Sequence, residues 1–454
     1  MVDSARAREF LVTALRARRQ QPGLLLLSVP APFQSLEPLW AALPTEPAVL
    51  WDPPAAGPPD RDSESCLGLG EVADSGRDLP VERVAPPGLA PGSLRWLGGR
   101  PFSDAVTQPP WLDFPAVTAV LPRWRYTRGP AGCAFHLTVR APTDALIAQV
   151  EAEFGALSEA GELAAAPPQA PRRREPLPFG RWQQWLRRIL QAIDEGQVDK
   201  VVAARHTTWV FAQPIAVTAV LRRLREQAPQ ATRFALRRGP ATFLGATPEL
   251  LVRKRGQAVL TEALAGTLTR TAAPLAELSA QLLDSDKDRR EHALVVDAIR
   301  QRLAPLCRAI SAPAAPQIRA LSHLLHLHTP IHATTRDPRT EIKELVTALH
   351  PTPAMGGTPT AAALQLIARY EPQPRGYYAG PVGWWDEHGD GEFAVAIRSG
   401  VLIDRTAYVY AGAGIVRGSD PELEYAETAA KMRTLLDALG VPPTDLYDPG
   451  DPLR

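Results

Sequence analysis

The sequence predicts an α+β fold: largely antiparallel β-sheets packed together, with helices on the outside. Three observations carry that prediction. Short β-rich runs come in hairpin-like groups with helices inserted among them, not in strict strand–helix alternation. The helical runs are amphipathic, and the clearest of them, Arg181 to Glu195, stops at Gly196. An apolar share of 45% over 454 residues supplies a sizeable core, and no fixed-period repeat divides it.

Residues 1–160 read as an N-terminal α+β region. Met1 to Gln21 is Arg-rich with a helical pattern, and Asp3 and Glu9 weaken a transit-peptide reading. Ala116 to Leu121 and Ala134 to Val139 alternate as strands do. The 47 prolines cluster in the first 175 residues, and the run from Trp51 (Trp-Asp-Pro-Pro-Ala-Ala-Gly-Pro-Pro) cannot be regular throughout. Residues 161–178, rich in Pro and Arg, read as a mobile connector. Residues 179–440 form the region with the sharpest patterning, and 441–454 a C-terminal tail. Within that region strands are expected at Lys200 to Arg205, Arg233 to Leu236, Thr242 to Leu244, Glu249 to Lys254, Gly380 to Trp385, Glu392 to Ser399 and Ala407 to Ala411. Helices are expected at Pro214 to Gln227, over one long span from Leu275 to Leu303, and after Asp420.

Composition narrows the class. A formal charge of +1 gives no footprint for nucleic acid or a membrane surface. Cys66, Cys133 and Cys307 are odd in number and far apart, which argues against a disulfide framework or a zinc site and fits a reducing cytoplasm. Leu24 to Val29 is the longest early apolar run and is too short to cross a bilayer.

The chemistry-bearing residues fall in few places. From Ala411 to Lys431 a small-residue loop runs into a helix that sets Glu424, Glu427 and Lys431 on one face. Asp288 and Glu291 sit three apart in Ser285-Asp-Lys-Asp-Arg-Arg-Glu-His292. Either cluster alone reads as a solvated face; together they suit a hard divalent cation such as magnesium. Gly412-Ala-Gly414 lacks the third glycine and the βαβ unit of a dinucleotide site, yet bare glycines can offer amides to a carboxylate. Lys200 is either an edge protector or, in an apolar pocket, a general base with a lowered pKa. Glu249 is an ordinary turn residue or, desolvated, a protonated acid. Arg398, inside the apolar run Phe393-Ala-Val-Ala-Ile-Arg-Ser, asks for a buried carboxylate partner, whereas His326 reads first as a core histidine.

These segments, in this order, resemble the chorismate-utilising enzymes and among them the isochorismate synthases. The runs that carry the likeness are Val198 to Arg205, Gly245 to Leu251, Ala263 to Thr267, Ser285 to His292, Leu349 to Gly357, Arg375 to Gly380 and Ala411 to Lys431. The resemblance implies the chorismate-binding fold shared with anthranilate synthase component I. It implies Lys200 as the base that activates water and Glu249 as the acid that protonates the departing C4 hydroxyl. Glu291 and Glu427 would ligate Mg2+, with Asp288 and Glu424 beside them. Arg398, Tyr378 and the amides of Gly412 and Gly414 would hold the enolpyruvyl carboxylate, and Lys431 would add positive charge. Thr267, His326, Ala354 and Met355 would line the ring pocket. Arg290 stands where it could compete for Glu291.

The activity implied is magnesium-dependent conversion of chorismate to isochorismate, feeding menaquinone synthesis in preference to siderophore synthesis. Salicylate synthase, which goes on to eliminate pyruvate, is the second reading, and a non-catalytic chorismate-binding protein the third. The run His350-Pro-Thr-Pro-Ala separates the chain from the ammonia-using synthases, so no glutaminase subunit is expected. The implied protein acts on a small molecule in the cytoplasm as a monomer.

Overall fold

A computed structural model describes residues 3–54, 64–72, 80–90, 92–103, 108–164 and 166–442. The tail from residue 443 and the Pro-rich run from residue 55 lie outside the described residues. Among the described residues two large sheets, of 13 and 9 strands, make the fold, and their ladders are antiparallel save the pairing of Leu24–Pro30 with Val81–Val84. The α+β expectation holds. N-terminal strands stand in both sheets beside strands of the later chain: Ala48–Asp52 pairs with Thr232–Arg238 in the first, and Arg95–Gly99 with Pro381–Asp386 in the second.

One large core fills the space between the sheets, and a second covers the outer face of the first sheet. The run Leu24-Leu-Leu-Leu27 shows why that sheet's strands are apolar throughout. Leu24 and Leu26 face the inter-sheet core, while Leu25 and Leu27 face the outer one, so both faces of the pleat are buried. Leu11, Leu221 and Leu435, from the helices Ser4–Ala17, Val217–Gln227 and Pro421–Leu439, close that outer core.

Four local expectations are corrected. The span from 275 to 303 is two helices, Leu275–Asp284 and Asp286–Leu303. Ser285 breaks it: extended in backbone, it accepts from the Asp288 amide as the N-cap of the second helix. Part of the connector is ordered, since Pro171–Pro176 forms a strand along Thr207–Phe211, with prolines at its two ends. The strand expected to end at Ala411 runs from Thr406 to Val416, so Gly412 and Gly414 lie in a strand and not in a loop. Arg398 is not mid-strand. The preceding strand ends at Val395, the next begins at Ser399, and Arg398 takes φ +53 between them.

The strand Lys200–Phe211 and the helix Pro421–Leu439 are tied by Arg205, 1% exposed. Its guanidinium donates to Thr428 Oγ1 (2.7 Å) and to the Tyr425 carbonyl (3.4 Å), and lies 3.8 Å from the centre of the Tyr425 ring. Arg205→Ala removes charged hydrogen bonds and volume from a dry site, and is expected to lower unfolding stability by about 3 kcal/mol, read from urea denaturation.

Candidate active site

A cavity of about 140 Å3 opens between the two sheets. Each wall is fixed by a different element. Gly412 and Gly414 come from the Thr406–Val416 strand of the first sheet; Thr267 and His326 come from Ala258–Thr269 and Leu324–Thr335 of the second. The helices Asp286–Leu303 and Pro421–Leu439 contribute Asp288, Glu291, Glu424, Glu427 and Lys431. Glu249, Tyr378, Ala354, Met355 and Arg398 complete it, so every residue singled out in the sequence except Lys200 lines one cavity. Lys200 reaches its edge: a Cβ at Gly414 would stand 3.2 Å from Lys200 Nζ and 3.0 Å from Glu291 Oε1. A larger cavity of about 740 Å3 shares Arg398 with it, but none of the acidic groups singled out in the sequence lines it.

Lys200 is no edge protector. It pairs with Thr358 on one side and Val416 on the other and is 1% exposed. Its Nζ donates to Glu291 Oε1 at 2.6 Å, which joins the first sheet to a helix packed on the second. Burial raises the affinity of Glu291 for a proton; the charge and hydrogen bond of Lys200, with Lys431 and Lys287, outweigh it and hold Glu291 below the ordinary carboxylate range. Arg290, placed by sequence as a competitor, turns to the Asp286 carbonyl (3.1 Å) instead.

The other acids each have a partner. Glu427 pairs with Lys431 at 2.5 Å, Glu424 accepts from Ser419 Oγ at 2.7 Å, and Asp288 accepts from the Thr267 amide at 3.3 Å. The Thr267 contact needs Gly266, which sits at a bulge with φ +77 and would press a Cβ against Asp288 at 3.1 Å. Lys287, which sequence reasoning left on a solvated face, stands 3.7 Å from Glu424 Oε1 and spans the two helices. As the side chains stand, no three His, Cys, Asp or Glu residues among the described ones gather at metal-holding distance. The donor set nevertheless fits magnesium: four carboxylates, oxygen only, around one cavity. Glu424 shows the strain a cation would relieve, since burial and then the neighbouring Glu427 push its pKa up to about 7.

Arg398 and His326 add a cationic, hydrogen-bonded stretch to the same lining. Arg398 NH2 donates to His326 Nε2 (3.1 Å), so the His326 proton sits on Nδ1, facing the Gly266 carbonyl (3.3 Å) and Thr267 Oγ1 (3.0 Å). Burial, then Arg398 and Lys431, keep His326 neutral. Its role here is to aim Arg398, which its left-handed backbone turns into the cavity. Gly412 and Gly414 face Ala204 and Val202, whose amides turn the other way, to Glu371 and to the Gly356 carbonyl. Both pairs are therefore the non-hydrogen-bonded kind, and the glycines direct their amides away from the Lys200 strand. On that side the Ser399–Ile403 strand pairs only as far as Val409, and Lys431 Nζ donates to the Gly412 carbonyl at 3.0 Å.

Glu249 is 3% exposed. Burial, then Glu262, raises its pKa to about 8 against the pull of Arg398, Lys200 and Lys431, so at neutral pH it carries a proton. One cavity thus holds a buried ammonium paired to a carboxylate, a protonated carboxyl group, and an arginine beside strand amides.

The sequence pattern described as "Chorismate binding enzyme" matches residues 86–440. The chain belongs to the chorismate-binding enzymes. Within that family it is 45% identical over 262 residues to the salicylate biosynthesis isochorismate synthase of Pseudomonas aeruginosa, covering 57% of this chain and 55% of that one. It is 41% identical over 261 residues to the isochorismate synthase DhbC of Bacillus subtilis, covering 56% and 66%. The matched stretch thus spans between about half and two thirds of these relatives' lengths. Among solved structures, MenF, the menaquinone-specific isochorismate synthase of Escherichia coli, superposes with TM-score 0.79 at 28% identity, over 96% of this chain and 100% of that one. Anthranilate synthase component I of Streptococcus pneumoniae shares the fold, with TM-score 0.63 at 20% identity over 89% and 94%. Among the described residues no helix of this chorismate-binding enzyme is long and apolar enough to cross a membrane.

A carboxyl group whose folded pKa lies above its unfolded 4.5 stabilises the fold least at high pH. Stability contributed by protonated Glu249 is present below pH 4.5 and is lost as pH rises through about 8. The urea midpoint is expected to fall between pH 5 and 8.5 more steeply in the parent than in Glu249→Gln; equal slopes would contradict the placement of its proton.

Proposed function

We propose that this chain is an isochorismate synthase: it adds water at C2 of chorismate and expels the C4 hydroxyl, with magnesium as cofactor. The observation that carries the reading is that Lys200, at a glycine-lined edge, and proton-bearing Glu249 serve the same cavity. Lys200 Nζ, once in its neutral amine form, takes a proton from water as its oxygen bonds to C2. The ring double bonds shift, the C4–O bond breaks, and Glu249 gives its proton to the departing hydroxyl, which leaves as water. Arg398, with the Gly412 and Gly414 amides and Tyr378, holds the enolpyruvyl carboxylate; Lys431 adds positive charge. Thr267, His326, Ala354 and Met355 enclose the ring.

Glu291 and Glu427, with Glu424 and Asp288, would hold magnesium, which when bound neutralises the ring carboxylate of the dianionic substrate. Lys200 and Lys431 now occupy two of those carboxylates, so the cation and the lysines compete for the same oxygens.

Salicylate synthase is the second reading, because the same acid, base and clamp serve both reactions up to bound isochorismate. The run His350-Pro-Thr-Pro-Ala and the relatives' printed names favour the isomerase. Full-length agreement with MenF supports menaquinone synthesis as the destination. We also assign residues 1–160 as the N-terminal part of the same fold, 161–178 as connector and 179–440 as the catalytic region. The three cysteines, all free, fit the cytoplasm, and a monomer acting without a glutaminase is our reading of the assembly.

With magnesium and no ammonia, purified protein is expected to yield isochorismate from chorismate on chromatography. Salicylate with pyruvate would promote the second reading, and unchanged chorismate would leave a binding protein. Lys200→Ala is expected to cut turnover by roughly 10²–10⁴-fold while chorismate binding, measured by calorimetry, stays within a few-fold of the parent. Lost binding with unchanged turnover per bound substrate would move Lys200 from base to binder.

A further inference from the structure

Glu249 stands on a crossing. The strand Ala241–Thr247 belongs to the first sheet and Leu250–Arg255 to the second, and only Pro248 and Glu249 join them. Such a short tether gives the acid its reach into the inter-sheet cavity, but it needs an anchor. The Thr247 hydroxyl accepts from the Glu249 amide at 3.2 Å, and the Val395 amide donates to the Glu249 carbonyl at 3.1 Å. A third hold comes from outside the cavity. Arg319, on the short strand Gln317–Ala320, donates from NH1 to the Pro248 carbonyl at 2.9 Å. The same NH1 donates to Glu262 Oε2 at 2.8 Å, and NH2 donates to Glu262 Oε1 at 3.1 Å and to His328 Nε2 at 2.8 Å. One guanidinium therefore grips the acid's own loop and a second buried carboxylate, 5% exposed, at once.

We propose that Arg319 and Glu262 are positioning residues for Glu249, the arginine fixing the crossing and Glu262 placing a standing negative charge beside the acid. The proposal rests on reading Glu249 as the acid of the reaction. Burial alone would raise Glu262; its bonds to His328 and Arg319 outweigh that and hold it well below the ordinary range, so the charge is present throughout the working pH. A fixed anion near a desolvated carboxyl favours the protonated form, which is what an acid needs before it can donate. The other charged or titratable groups facing Glu249 are Arg398, Lys200, Lys431 and Tyr378. The three cations all oppose burial and Glu262, which together leave Glu249 with its proton.

The test is the pH profile of kcat/KM with chorismate and magnesium, whose basic limb reports the acid of the free enzyme. Glu262→Gln is expected to move that limb down by about one pH unit, close to a tenfold loss at its alkaline side, with KM little changed. Glu262→Asp, which keeps the charge, is expected to leave the limb in place. Arg319→Gln removes a partner that keeps Glu262 ionised, so the limb is expected to move down in this variant too, and kcat falls several-fold as the crossing loosens. Two variants that reach the acid through different residues keep the idea testable if either folds poorly. A limb that stays put in Glu262→Gln and Arg319→Gln, with activity lost only in proportion to folded protein, would overturn the positioning role. A parent profile with no basic limb, or full activity in Glu249→Gln, would instead sink the reading of Glu249 as the acid.

Discussion

The contact between Lys200 Nζ and Glu291 Oε1 is the interaction on which the site is built. It runs from the first strand residue of one sheet to a helix carried by the other, across the gap that becomes the cavity. Placing two charges there costs desolvation, and a pair so buried is retained only where geometry is good and further partners exist. Both conditions shape the sequence around it. Gly414 must lack a side chain because a Cβ would meet Lys200 Cε at 2.8 Å, and Gly357 must lack one because its Cβ would meet the Lys200 carbonyl at 2.2 Å. His292, next to Glu291, bonds the Ala265 carbonyl and the Thr329 hydroxyl and so seats its helix on the second sheet.

From that pair outward the cavity divides by charge. Carboxylates gather on the two helices, each partnered from nearby, and Arg398 and the strand amides line the same cavity. Glu249 sits on the sheet-to-sheet crossing, where burial and Glu262 outweigh the pull of Arg398, Lys200 and Lys431 and keep it protonated. Two opposite protonation outcomes in one cavity, Glu291 ionised and Glu249 neutral, follow from what lies next to each. Glu291 has an ammonium at 2.6 Å; Glu249 has burial and Glu262.

Much of this was legible in the sequence, and what was not shares one cause. Residue types at local spacing placed Glu424, Glu427 and Lys431 on a helix face and flagged Arg398 as a buried cation. The extended conformation of Gly412 and Gly414 escaped notice because glycines read as loop, whereas here the ladder with Val202 and Ala204 overrides that propensity. Arg398 read as strand because its neighbours Phe393 to Ile397 are apolar, yet the chain breaks there into a left-handed turn. Ser285 carried a readable capping signal inside a helical period, and the period drowned it. Arg319 and Glu262 left no sign at all: 57 residues separate them, and each alone is a charged residue in a strand.

The last point bears on how the family's chemistry can be tuned in this chain. Residues placed to touch substrate are constrained by the reaction, but part of the proton affinity of Glu249 is set by Glu262, which does not line the cavity. Glu262 and Arg319 belong to the second sheet alone, and Glu249 to the link between sheets. A substitution at Glu262 or Arg319 would therefore alter the proton affinity of Glu249 without removing a contact of Lys200, Arg398 or the four helix carboxylates. Lys200 is fixed by a pair that spans the sheets, while the negative charge that favours protonated Glu249 comes from the second sheet alone. Its proton is the more adjustable half of the reaction.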